Sequence, residues 1–243
     1  MLRLLALATL FVACAAPHSS IAPPSPSVSS AQASASPLVA SPQTSAATPS
    51  AGSVPASPSP LVHTALQDIA AQPGDLPSGM VACSWSADFV VWAGNVKPTD
   101  AAYAQQVLDL WQRLQSGGAT GGWVQDVSVS EDACQGFYSG SAGLVQHVTC
   151  MVIQFGDAAS ATNAYSSETS ELFGPKVLNG GPTQSGSATG LGPNSIEATP
   201  GNLPMITLFA AWQKDAYYVV FIAYGMAISD DRLAVAKIDG RIP

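Results

Sequence analysis

Basic side chains are scarce in this sequence. It has 8 Lys and Arg against 16 Asp and Glu in 243 residues, which gives a formal net charge of -8. A nucleic-acid-binding surface needs a basic patch that displaces counterions from the phosphates, so we exclude nucleic acid as a partner. The same scarcity argues against attachment to an anionic membrane surface by charge alone.

The sequence also lacks an apolar run of the ~18 residues that a membrane-spanning helix needs. Its one N-terminal apolar stretch covers residues 4–13, follows the single positive charge of Arg3, and has the length of a signal-peptide core. The stretch ends in Phe11-Val12-Ala13-Cys14, which resembles a bacterial lipobox, with Phe11 and Val12 standing where other residues are usual. The resemblance implies a signal peptide over 1–13, cleaved after Ala13.

Cys14 is the residue that the lipobox resemblance assigns to lipid attachment. The resemblance implies a diacylglyceryl group on its sulfur, and two acyl chains suffice for stable membrane anchoring. The alternative is an ordinary secreted protein, because Ala13-Cys14-Ala15 also fits the A-x-A site of a standard signal peptidase.

Charged residues are absent between Arg3 and Asp68. Within this stretch, Ser, Pro, Ala and Thr make up 37 of the 46 residues from 15 to 60. Such a segment buries too little apolar surface to offset its ordering entropy. We therefore predict a disordered tether over 14–60, with polyproline II character. Whether its Ser and Thr residues carry sugars, as in mucin-like stalks, stays open.

Residues 61–243 contain all five Trp and all six Tyr, and we predict that they form a single globular domain. Strand patterns joined by short connections alternate with helix patterns. This order predicts an α+β fold with one antiparallel sheet and helices packed on one face. The elements predicted are helices over 61–71, 100–116, 158–172 and 229–238; strands over 80–84, 89–93, 123–130, 144–155, 205–212 and 216–224; and loops over 130–143 and 179–194.

Three cysteines lie beyond Cys14. Because export favours disulfides, we predict a bond between Cys83 and Cys134, which lie near the ends of elements, and a buried free thiol at Cys150 within an apolar strand. Three reduced thiols are the alternative. No C-x-x-C redox motif is present.

We find no catalytic, cofactor-binding or metal-binding constellation in the sequence. His147 and Cys150 form a lone H-x-x-C, and a strand would place them on opposite faces. No G-x-S-x-G or S-x-x-K motif accompanies the histidine. The acidic pairs Glu131-Asp132 and Asp230-Asp231 are predicted to lie in a loop and in the first turn of a helix. The tryptophans are expected to pack in the core rather than to line a pocket.

The globular part loosely resembles uncharacterised lipoproteins of high-GC bacteria and the extracellular sensor domains of mycobacterial-type Ser/Thr kinases. The resemblance covers about residues 75–243 and depends on the segments 75–79, 117–124 and 239–242. It implies a membrane-anchored, extracytoplasmic lipoprotein with a non-catalytic, sensor-like domain. Its partners would be the membrane, through the lipid on Cys14, and a small ligand or an envelope or wall component. The alternatives are a secreted hydrolase with an unrecognised site and a lipid or glycolipid carrier.

Overall fold

The computed structural model of the protein describes residues 65–141, 143, 145–172, 181–200 and 205–243. The predicted signal peptide, Cys14 and the predicted tether lie outside the described residues. The helices and strands are α1 (Leu66–Ile69), β1 (Val81–Ala82), β2 (Ala87–Asp88), α2 (Phe89–Val96), α3 (Ala101–Ser116), β3 (Ala119–Ser128), α4 (Glu131–Ser139), β4 (His147–Phe155), α5 (Ala158–Leu172), β5 (Thr183–Ser185), β6 (Ser195–Ala198), β7 (Ile206–Lys214), β8 (Tyr217–Tyr224) and α6 (Ile228–Asp239).

All eight strands belong to one sheet, in the order β1-β3-β4-β8-β7-β6-β5, with β2 also pairing with β3. Every pairing is antiparallel. The prediction of an α+β fold built on a single antiparallel sheet is therefore confirmed. Strands β3, β4 and β8 lie side by side at its centre.

Helices cover both faces of this sheet, whereas the sequence analysis placed them on one. Strand β4 shows why, because its side chains are buried on both faces of the sheet. Val148 and Val152 pack with α1 and α6 on one face. Met151 and Ile153 pack with α2, α3 and α5 on the other. A strand that is apolar in both phases needs cover on both sides. We call the side of Val148 and Val152 the α6 face. We call the side of Met151 and Ile153, which α4 also covers through Tyr138, the α4 face.

Helix α2 corrects the predicted strand over 89–93. Asp88 caps the helix, since its Oδ1 accepts the backbone N–H groups of Val90 and Val91 at 3.0 Å each. The buried residues of α2, Phe89, Trp92, Ala93 and Val96, follow the period of a helix. The β-branched pair Val90-Val91 favours a strand locally, but both of these side chains are exposed.

Helix α4 corrects the predicted loop over 130–143. The Ser130 hydroxyl accepts the N–H of Ala133, and the acidic pair Glu131-Asp132 lies in the first turn rather than in a loop. The helix ends at Gly140, whose φ of 68° is a left-handed conformation that suits glycine.

Several other elements differ from prediction in detail. The predicted helix over 61–71 is the single turn α1, the predicted helix over 100–116 begins after the cap Asp100, and the predicted helix over 229–238 begins at Ile228 after Ala227. Part of the predicted loop over 179–194 forms β5 and a 3-10 turn, and β6 was not predicted.

The β7–β8 hairpin is confirmed, and Asp215 adopts a positive φ of 49° in its turn. Aspartate tolerates this left-handed conformation better than most residues. A two-residue turn at Lys214-Asp215 would set Trp212 opposite Tyr217. In the structure the turn lies one residue later, so Trp212 pairs with Val219 and Tyr217 pairs with Lys214.

The predicted disulfide between Cys83 and Cys134 is confirmed, and Cys150 is a buried free thiol. The bond joins the segment between β1 and β2 to helix α4 on the α4 face. Cys150 lies on the α6 face of β4, so it is separated from the disulfide by the sheet.

Candidate functional site

The structure brings His147 to an acidic residue, Asp126, on the neighbouring strand. In the β3–β4 register Asp126 pairs with Thr149 and Ser128 pairs with His147, so all four side chains lie on the α4 face. The His147 Nε2 is 3.3 Å from the Asp126 Oδ1, and both side chains are fully buried. Since a carboxylate only accepts hydrogen bonds, Nε2 carries the hydrogen.

Four further side chains donate hydrogen bonds to the same carboxylate. The indole N–H groups of Trp92 and Trp85 lie 2.7 and 3.1 Å from Oδ2. The Thr149 hydroxyl is 2.7 Å from Oδ1, and the Tyr138 hydroxyl is 3.0 Å from it. We call these six residues (Asp126, Trp85, Trp92, Tyr138, His147 and Thr149) the Asp126 network.

The network keeps Asp126 ionised inside the protein. Burial by itself would raise the pKa of this carboxyl group. The hydrogen bond and charge of His147, with the hydrogen bonds of Trp92 and Thr149, instead hold the pKa below its usual range. Conversely, burial and the nearby Asp126 charge raise the pKa of Tyr138, so its hydroxyl stays protonated as a donor.

The geometry of the network does not match a nucleophile–histidine–acid relay. Such a relay needs the acid and the nucleophile on opposite nitrogens of the imidazole ring. Here Thr149 Oγ1 and Asp126 Oδ1 both approach Nε2, at 3.4 and 3.3 Å. The Thr149 hydroxyl donates to Asp126 rather than to the histidine. The other nitrogen, Nδ1 of His147, is buried and has no hydrogen-bond partner.

Aromatic rings enclose the network. The Phe137 ring stacks on the imidazole of His147 with centroids 3.8 Å apart and planes 7° from parallel. The Tyr138 ring contacts Trp85, Trp92 and Tyr103 with centroid distances between 5.6 and 5.7 Å. Two of the five tryptophans, Trp92 and Trp212, are fully buried. The prediction that the tryptophans pack in the core is therefore confirmed for Trp92 and Trp212.

Helix α4 closes the network from outside and is held in place at several points. Its inner side carries Phe137 and Tyr138, and Cys134 bonds it to Cys83. At its N-terminus the carboxylate of Glu131 accepts hydrogen bonds from the backbone N–H and the hydroxyl of Ser84. The segment between β1 and β2, which carries Trp85, is thereby tied to the same helix.

The outer side of α4 borders an open polar cavity of about 370 Å³. Its described lining consists of Thr99 in the α2–α3 connection together with Asp132, Gln135, Gly136, Ser139 and Ser141. We call this cavity the α4 pocket. Its volume lies near the lower end of the range of small-molecule sites, roughly 300 to 1,000 Å³.

The remaining residues considered from sequence are not brought together. His147 and Cys150 lie on opposite faces of the sheet, as predicted. Burial raises the pKa of the Cys150 thiol to about 12, which keeps it unreactive. Asp231 is buried in the first turn of α6. Within the described part of the chain, no group of three or more His, Cys, Asp or Glu residues could hold a metal ion.

Sequence reasoning missed Asp126 as the centre of the site. The alternation of Val127 and Val129 with Asp126 and Ser128 predicts a half-buried strand, but Asp126 and Ser128 are fully buried because α2 and α4 cover that face. The signal that could have identified Asp126 as buried is the helix pattern of residues 130–139, because a helix directly after β3 can cover this face of the sheet.

No family model, curated protein or solved structure matches this chain. Among the described residues, no helix is both long and apolar enough to cross a membrane.

Proposed function

We propose that this protein is a membrane-anchored, extracytoplasmic lipoprotein whose folded part is a non-catalytic, sensor-like binding domain. The lipid on Cys14 would hold it at the membrane, and the segment 14–60 would act as a spacer. The partner would be a small ligand or an envelope component. This is also the function that the sequence resemblance to kinase sensor domains implies.

The observation that favours a non-catalytic domain over a hydrolase is the burial of the Asp126–His147 pair. A catalytic acid–histidine pair must reach a substrate, but both side chains are fully buried under α4. Four other donors saturate the carboxylate, and Tyr138 and Phe137 separate the pair from the outside. The pair therefore supports a structural role beneath α4, whose outer side borders the pocket.

The disulfide supports a location outside the cytoplasm. Disulfides form and persist in oxidising compartments and are rare in cytosolic proteins. The bond between Cys83 and Cys134 is almost completely shielded from solvent. It therefore fits a stable structural link better than a catalytic or regulatory one. The polar lining of the α4 pocket fits a polar ligand and does not favour the lipid-carrier alternative.

The experiment that tests the anchor is intact mass spectrometry of the protein from the native membrane fraction, compared with a Cys14→Ala variant. We expect a chain that begins at Cys14 and carries a diacylglyceryl-sized increment, and we expect the variant to leave the membrane. An unmodified chain that begins at Ala16 or later in the medium would overturn the proposal and favour the secreted alternative.

A further inference from the structure

We propose that the α4 pocket binds a neutral, hydroxyl-rich ligand of the size of a mono- or disaccharide. The inference deepens the proposed function and rests on it, because it names the ligand class of the binding domain. The described lining offers three hydroxyl groups, one amide and one carboxylate, at Thr99, Ser139, Ser141, Gln135 and Asp132. Hydroxyls and amides both donate and accept hydrogen bonds, as sugar hydroxyls do.

The lining argues against other ligand classes. No apolar or aromatic side chain is present among the described lining residues, so a hydrophobic ligand would gain little from burial. The same lining has a carboxylate and no basic side chain, so a phosphate or another anion would be repelled. One carboxylate falls short of the ligand set that a hard divalent cation takes. A neutral polyol satisfies the acceptor-only carboxylate of Asp132 with a hydroxyl donor.

Backbone geometry at the end of α4 arranges two of the hydroxyls. The left-handed conformation of Gly140 turns the chain back, and the N–H of Ser141 bonds to the carbonyl of Gly136 at 3.0 Å. This turn places the Ser141 and Ser139 hydroxyl oxygens 2.7 Å apart. The Ser139 hydroxyl donates to the carbonyl of Gly136 at 3.1 Å, so Ser141 donates the hydrogen bond between the two serines. The Ser141 oxygen can then accept a hydrogen bond from a hydroxyl of a sugar ring.

The pocket wall is pre-organised by the contacts on the inner side of α4. The disulfide at Cys134, the Glu131–Ser84 hydrogen bonds and the Tyr138–Asp126 hydrogen bond fix the helix that carries the lining side chains. A wall that is already ordered loses little entropy when a ligand binds. This offsets the small apolar contribution of an open polar site, and we expect affinities in the millimolar range.

The test is an NMR titration of the ¹⁵N-labelled full-length chain that carries Cys14→Ser, so that it stays unlipidated. The probes are glucose, N-acetylglucosamine and the β-1,4-linked dimer of each. We expect at least one probe to shift the amide signals of Asp132, Gln135 and Ser139. Asp132→Ala should then weaken its binding about tenfold, which corresponds to the loss of one charged hydrogen bond. The exposed acid Asp109 on α3 gives the matched control Asp109→Ala, which should bind unchanged.

Two outcomes would overturn the inference. The first is the absence of any shift with all four sugars at their highest soluble concentrations, and a shift of the same amides by spermidine in that case would indicate a cation site. The second is sugar binding that Asp132→Ala does not weaken. Because these measurements use an unlipidated chain, they are independent of the mass measurement that tests the anchor, and either proposal can fail alone.

Discussion

Asp126 shows how one residue organises the α4 face. A buried carboxylate is tolerated only when donors replace its water shell. Here five side chains from β4, α4 and the segment around α2 supply those donors. Because these donors come from the sheet and from both helices, Asp126 fixes the positions of α2 and α4 on the sheet.

Replacing the carboxylate by an amide tests this role. We expect Asp126→Asn to lower the free energy of unfolding by about 2–4 kcal/mol, because the side-chain NH₂ would face donors such as Trp92 and Tyr138. Urea unfolding measures the change. The control is Asp109→Asn on the exposed side of α3, for which we expect a change within about 0.5 kcal/mol. Equal midpoints for the two variants would contradict the role of the network.

The pKa of Asp126 predicts a pH dependence of that difference. Its pKa is lowered in the folded state, so its contribution is fully present above the unfolded-state value of about 4 and is lost as the pH falls through the folded-state pKa. The stability gap between the wild-type chain and Asp126→Asn should therefore shrink on acidification. A gap that stays constant from neutral pH down to acid unfolding would contradict the assigned charge state.

Asp231 is the opposite case, a buried carboxylate without adequate donors. The hydroxyl of Thr207 on β7 lies beside the carboxylate and lowers its pKa, but no hydrogen bond of normal geometry satisfies either oxygen. Burial raises the pKa of Asp231 to about 6. Because this pKa is raised on folding, the contribution of Asp231 to stability is fully present below its unfolded-state pKa of about 4. That contribution is lost as the pH rises through about 6.

We therefore expect Asp231→Asn to stabilise the protein at pH 7 and to have little effect near pH 4. The gain at pH 7 should be about 1–2 kcal/mol, after allowance for partial solvent screening. Thermal or urea unfolding of both proteins at the two pH values gives the result. Asp109→Asn, at an exposed position on α3, is the control for removing a carboxylate. Destabilisation by Asp231→Asn at pH 7 would show that the hydrogen bond with Thr207 outweighs the cost of burying the charge.

At the scale of the element, the sequence predicted the long amphipathic or apolar segments and missed those decided by tertiary contacts. Helices α3 and α5 have amphipathic patterns, and strands β4, β7 and β8 are long, mostly apolar runs. Helix α2 was mistaken for a strand because of Val90-Val91, although the cap at Asp88 and the buried positions of Phe89 and Trp92 indicate a helix. Local propensity is a weak guide where one side of a short element packs on a sheet.

Helix α4 was missed for a different reason. Its sequence contains Gly136 and many polar residues, and its buried positions meet partners that lie far away in the sequence. Cys134 bonds to a cysteine 51 residues earlier, and Tyr138 bonds to Asp126 on β3. The α4 pocket could not be predicted for the same reason, since Thr99 joins it from another connection. The disulfide was predicted correctly, although the prediction placed Cys134 in a loop and the structure places it inside α4.

The disulfide should matter most for the element that it holds. We expect the double variant Cys83→Ala/Cys134→Ala to lose about 2–4 kcal/mol of stability. Amide hydrogen exchange should accelerate more over Glu131–Ser139 than over the centre of β4, because α4 loses its covalent link while the sheet ladder remains.

Cys150→Ala is the control for this experiment. It removes a buried thiol from β4 on the α6 face, so it lowers global stability without releasing α4. Hydrogen exchange should then accelerate across the sheet and not selectively over the helix. A uniform acceleration in the disulfide variant would contradict the view that the bond serves to hold α4.

At the scale of the whole molecule, the two ends of the described chain are joined by one ion pair. Arg241, just after α6, contacts both carboxylate oxygens of Asp75 at 2.9 and 2.7 Å. The same guanidinium donates to the backbone carbonyls of Ile69, the last residue of α1, and of Ala70, which follows it. Asp75 is buried, and its Oδ2 also accepts the N–H of Gln72. Lys237 of α6 also donates to the backbone carbonyls of Gly74 and Asp75. Two basic side chains therefore hold the two ends of the described chain together on the α6 face, and Arg241 makes the larger number of these bonds.

Because the Arg241 side chain donates to several buried groups, its removal should lower the stability of the whole domain. We expect Arg241→Ala to lower the free energy of unfolding by about 2–4 kcal/mol, since it removes the charged partner of a buried carboxylate and a donor to two backbone carbonyls. Arg241→Lys should retain only part of the stability, because an ammonium cannot reproduce the planar fork that meets both Asp75 oxygens. Lys97→Ala, at an exposed position after α2, serves as the control for removing a positive charge. If Arg241→Ala changes the urea midpoint no more than Lys97→Ala does, then apolar packing of α6 alone closes this face and the ion pair contributes little.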